Sequence, residues 1–81
     1  MAFSFQPIGL DTDYGDSEAM LVLRDERLLA VVSYLDAIHG TLGGKWFVET
    51  IFRDLRGRPA QPFETLEDVE TWLTERIQPQ P

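Results

Sequence analysis

The sequence predicts an α+β domain: a three-stranded antiparallel β-meander, four-stranded if the N-terminus adds a strand, with one C-terminal α-helix packed across one face. Three observations predict it. Two short apolar runs, Ala19–Leu23 and Leu28–Leu35, are separated only by Arg24-Asp25-Glu26-Arg27, as in a hairpin. An aromatic and β-branched run, Lys45–Arg53, follows a glycine-rich connection and suits a third strand. The last apolar residues then change period: Leu66, Val69, Leu73 and Ile77 fall on one helical face. The β-β-β-α order is most simply met by a meander with the helix laid across it.

Each element has a local reason. Phe3 and Phe5 alternate with Ser4 and Gln6, so residues 3–6 suit a short strand before Pro7. Residues 9–17 are rich in Gly, Asp and Ser and read as a loop. The 24–27 turn has no Gly or Asn, so a three- to five-residue loop is expected rather than a two-residue primed turn. Gly40, Gly43 and Gly44 ease the reversal before Lys45. Gly57, Pro59 and Pro62 make residues 54–62 a loop. Thr65 is a good N-cap, with Glu67 and Asp68 placed where carboxylates meet the helix dipole. Pro79 and Pro81 end the helix, which is expected over residues 65–77. One domain is expected over residues 1–81: an N-terminal segment and acidic loop (1–18), the sheet (19–53) and the helix.

The strand patterns predict a sheet with two apolar faces. Met20 and Val22 oppose Ala19, Leu21 and Leu23; Leu29, Val31 and Leu35 oppose Leu28, Ala30, Val32 and Tyr34; Trp46, Val48 and Phe52 oppose Phe47 and Ile51. A helix ~10–12 Å across covers one face. The other needs either the N-terminal Phe3, Phe5, Ile8 and Leu10 or a second copy of the chain.

Composition bounds the function. The 81 residues carry 14 acidic and 7 basic side chains, a net charge of −7. That balance opposes general affinity for nucleic acid or anionic membrane, which rests on Lys and Arg. With no cysteine there is no disulfide framework, thiolate nucleophile or Cys-ligated metal. No apolar run approaches a membrane span of ~20 residues. The N-terminal stretch lacks the basic and apolar regions of a secretory signal, so a cytoplasmic location is expected. Charge is uneven along the chain. Residues 1–44 have seven acids against Arg24 and Arg27, residues 45–58 are net +2, and residues 59–81 are net −4.

Few constellations suggest chemistry. His39 is the only histidine, with Asp36 three residues before it, a spacing that permits a general base but comes with no nucleophile. Asp11, Asp13, Asp16 and Glu18 offer oxygen ligands for a cation. Counted from Asp11, Gly15, Asp16 and Val22 stand where an EF-hand needs a ligand, a glycine and a glutamate. The stretch from Gly40 to Lys45 lacks the spacing of a P-loop and is followed by Trp46. Trp46 and Trp72 read as core residues, and no cofactor is implied.

The remaining feature is the basic island. Arg53, Arg56 and Arg58, with Lys45, Trp46 and Phe47 at the other end of the same strand, mix cations with aromatics. Such mixtures mark protein interfaces and single-stranded nucleic-acid sites. The element order, ending in the helix start TLEDVETWL, resembles the arm-type DNA-binding domains of phage integrases; the sheet departs from them in being apolar rather than studded with Lys and Arg. The function expected is therefore a non-enzymatic interaction or accessory domain, homodimeric through its second sheet face. The alternatives are a nucleic-acid-binding module using loop 53–58 and an enzyme centred on His39 or a metal in the acidic loop.

Overall fold

The computed structural model describes residues 3–13, 18–36, 40, 43–55 and 57–77. It is an α+β fold. Four strands, β1 (Phe3–Gly9), β2 (Glu18–Arg24), β3 (Arg27–Tyr34) and β4 (Trp46–Ile51), precede one helix, α1 (Leu66–Ile77). All neighbours are antiparallel, and the order across the sheet is β1-β2-β3-β4. The fourth strand is therefore the N-terminal one. It runs through Pro7 to Gly9, longer than the 3–6 expected, because an edge strand need not donate from every backbone nitrogen.

The β2–β3 turn corrects the sequence expectation. Arg24 pairs with Arg27, which leaves a two-residue turn of Asp25 and Glu26, with φ of 52° and 69°. Positive φ at both central residues marks a type I′ turn, whose twist matches that of its flanking strands. Asp tolerates this region; Glu does so at a steric cost. Pairing of the two apolar strands outweighs that cost.

Two bulges set which side chains face the helix. Between β2 and β3, Val22 pairs with Ala30 but Leu23 pairs with Leu28, so Leu29 is an extra residue. Between β3 and β4, Val31 pairs with Thr50 but Val32 pairs with Val48, so Glu49 is extra. Each bulge reverses the alternation beyond it. Leu29 therefore joins the core beside Ala30 and Val32, and Leu28 joins Leu23 on the opposite face. Ile51 likewise joins Trp46 and Val48 on the helix side rather than Phe47.

The core lies between one sheet face and α1. Val69, Leu73 and Ile77 of the helix meet Val22, Ala30, Val32 and Val48 of the sheet, with Leu55 closing one side. Phe3 and Phe5 of β1 pack partly against the same cluster. They extend the helix-side core and do not fold over the second face. Thr65 caps the helix as expected: its Oγ1 accepts from the Asp68 N–H at 3.0 Å. Among the described residues no helix is long and apolar enough to cross a membrane.

The strained turn gives a direct test. Glu26→Gly removes the Cβ clash at φ 69° and supplies the favoured Asp-Gly sequence. It is expected to stabilise the domain by about 0.5–1 kcal/mol, raising the thermal midpoint by several degrees. A lowered or unchanged midpoint would contradict this turn geometry.

Candidate functional site

The residues singled out in the sequence do not form one patch. Lys45 precedes β4, and its Nζ lies 3.9 Å from Glu64 Oε1. The Glu64 side chain is largely exposed, so the pair contributes little. Trp46 faces the helix side and meets the Tyr34 ring edge-on at 5.0 Å. Its backbone exchanges hydrogen bonds with Phe63, 2.6 Å from the Trp46 N–H and 2.8 Å from the Phe63 N–H. Phe47, next along the strand, points to the opposite face and is 42% exposed. Arg53 stands past the other end of β4, about 25 Å from Lys45 at the rise of an extended chain. Arg56 lies outside the described residues.

Arg58 secures the sheet edge. Its Nη2 donates to the Val48 and Glu49 carbonyls, both at 2.8 Å. The Glu49 bulge explains why one nitrogen reaches both. An extra residue turns two successive peptide units the same way, so both carbonyls face the open edge of β4. On the inner side of the bulge, the buried Ser33 hydroxyl donates to Glu49 Oε2 at 2.6 Å. Leu55 in the core and Arg76, whose Nη1 donates to the Leu55 carbonyl at 3.4 Å, hold the loop that carries Arg58. Arg76 itself lies 4.9 Å from the Trp72 ring centre, a cation–π distance.

Among the described residues, two surfaces bear on function. The first is the sheet face away from α1. Leu21, Leu23 and Val31 lie half-buried at its centre, and Ile8, Leu28 and Phe47 stand 42–43% exposed around them. Ala19, Ser33 and Leu35 at one corner are buried. The second is a hollow of about 540 Å³ where the β2–β3 hairpin meets the end of β4. Arg24, Asp25, Arg27, Leu28, Leu29, Phe52 and Arg53 line it. Arg24 Nε is buried there without a hydrogen-bond partner. A linear charge count places Arg24 and Arg27 in the acidic N-terminal half and misses their approach to Arg53. The antiparallel order was the available signal, because it brings the start of β3 beside the end of β4.

The catalytic and metal-site alternatives gain no geometry. His39 and Asp16 lie outside the described residues, and Asp11 and Asp13 are exposed. Among the described residues, no group of three or more His, Asp or Glu could hold a metal ion. Comparison with protein-family models, curated proteins and solved structures finds no match.

The role of Arg58 can be measured. Arg58→Ala removes two charge-assisted hydrogen bonds at a partly exposed site and is expected to cost about 1–2 kcal/mol in denaturant unfolding. Faster amide exchange in the segment around Arg58 and in β4 should accompany it. Stability within about 0.3 kcal/mol of the parent would show that the latch contributes nothing.

Proposed function

We propose that the chain is a non-catalytic interaction module that pairs with a second copy of itself through the sheet face away from α1. The observation that carries this reading is an apolar face left open while both sheet edges are blunted. On β1, Pro7 removes a donor in mid-strand. On β4, Arg58 occupies two outward carbonyls and Phe63 bridges to Trp46. Strand addition at the edges is thereby disfavoured, and face-to-face packing is the route to burial.

The chemistry of the face favours a copy over an unlike partner. Its centre, Leu21, Leu23 and Val31, is uncharged aliphatic surface, with the Glu49 carboxylate, bonded to Ser33, at its β4 margin, so two chains of net charge −7 would meet with their charges toward the rim. Charges at its rim are screened beyond ~8 Å at physiological salt. Four strands at ~4.8 Å spacing and six to eight residues in length span about 20 Å each way. Two such faces total about 800 Å², below the ~1,200 Å² of standard interfaces, so the pairing is of the weak, concentration-dependent kind. The non-catalytic part of the reading rests on the sequence, with one histidine and no cysteine. A nucleic-acid role for loop 53–58 is less supported, since Arg58 is engaged by the backbone of β4.

Light scattering coupled to size exclusion tests the proposal. The expected mass is twice the 9.3 kDa of one chain. Phe47→Asp and Leu28→Asp should each return it to a single chain with unchanged far-UV circular dichroism, because both side chains are over 40% exposed. A single-chain mass for the parent at tens of micromolar overturns the pairing.

A further inference from the structure

We infer that the hollow at the hairpin end of the sheet binds a small organic anion: a carboxylate or phosphate ester attached to an apolar or aromatic body. Three arginines line it: Arg24 at the end of β2, Arg27 at the start of β3 and Arg53 just past β4. One acidic side chain, Asp25, shares the lining, so the wall is net positive in a molecule of net charge −7. Among the described residues, none of these three guanidinium groups makes an ion pair. Arg24 Nε is buried with no acceptor, and a buried donor without a partner is rare. A planar guanidinium offers paired donors that match two oxygens of a carboxylate or phosphate.

The rest of the lining sets the ligand's other half. Leu28, 43% exposed, and Phe52, 63% exposed, give the lining its accessible apolar surface. An aromatic body can lie on Phe52 while its anionic group meets the arginines. The volume of about 540 Å³ falls in the range of small-molecule sites, about 300–1,000 Å³. A polyanion fits less well. It would continue over Glu26 and Asp54, which flank the hollow in sequence, and then over a surface of unfavourable sign. The site does not depend on self-association, although Leu28 borders both surfaces.

Titration of the full chain, followed by amide chemical shifts, tests the inference with phenyl phosphate, benzoate, inorganic phosphate and a short single-stranded oligonucleotide. Saturable shifts centred on Arg24, Arg27, Phe52 and Arg53 are expected for phenyl phosphate or benzoate, with a dissociation constant of about 1 mM or below. Inorganic phosphate should bind roughly tenfold more weakly, lacking the aromatic body. Arg53→Gln and Arg27→Gln should each weaken binding about tenfold, and Phe52→Ala should narrow the gap between phenyl and inorganic phosphate. These exposed positions serve in place of Arg24, whose partial burial puts folding at risk. Shifts that are absent, centred elsewhere or insensitive to both arginine variants overturn the site. Equal affinity for inorganic phosphate, or tighter binding of the oligonucleotide at the same residues, overturns the ligand class. The same titration on the Phe47→Asp chain separates failure of the site from failure of the pairing.

Discussion

A single helix covers a single face of a four-stranded sheet, and the rest of this molecule follows from that limit. The stripe of Val69, Leu73 and Ile77 fills the space over Val22, Ala30, Val32 and Val48. Each such side chain contributes about 1.5–3 kcal/mol by leaving water. Among the described residues no second helix repeats the arrangement on the other side. The strands are nonetheless apolar on both sides, with Leu21, Leu23 and Val31 turned away from α1. Part of the surface a helical layer would normally hide is therefore left in water, with Ile8, Leu28 and Phe47 exposed.

The same limit explains the irregularities of the sheet. The bulge at Leu29 places a large side chain in the core beside the small Ala30, both fully or almost fully buried. The bulge at Glu49 turns two carbonyls outward and a carboxylate toward the buried Ser33 hydroxyl. Both features bend a short sheet around a short helix, as bulges do by adding local twist. Arg58 then answers the polar groups that the second bulge exposes.

Much of this was legible in the sequence, and the failures have specific causes. The helix, its Thr65 cap and strands β2, β3 and β4 follow from period and capping, both of which are local. The facing of Leu28, Leu29 and Ile51 was misread, because a period of two carries no mark of an inserted residue. The Asp25-Glu26 turn was misread because its residues are poor at positive φ, and only the pairing of its flanking strands imposes it. Pro7 ended the first strand on paper because its position at a sheet edge is a tertiary fact. The grouping of Lys45, Trp46, Phe47, Arg53, Arg56 and Arg58 was read along one strand, and strand-to-strand neighbours such as Arg24 and Arg27 were beyond its reach. Trp46 and Phe47 part to opposite faces, while Arg53 gathers with Arg24 and Arg27.

Every sheet neighbour in this fold is also a neighbour along the chain. During synthesis each strand can therefore pair with the one just made, with no later strand to be inserted between them. Of these five elements the helix is made last. Until Val69, Leu73 and Ile77 emerge, the nascent sheet presents both of its apolar sides to the cell. Arg58 and Phe63 precede those residues in the chain, so the groups that close the free flank of β4 are already made when the helix emerges. The order of the elements thus shortens the interval in which the unfinished chain offers neighbours a strand to join.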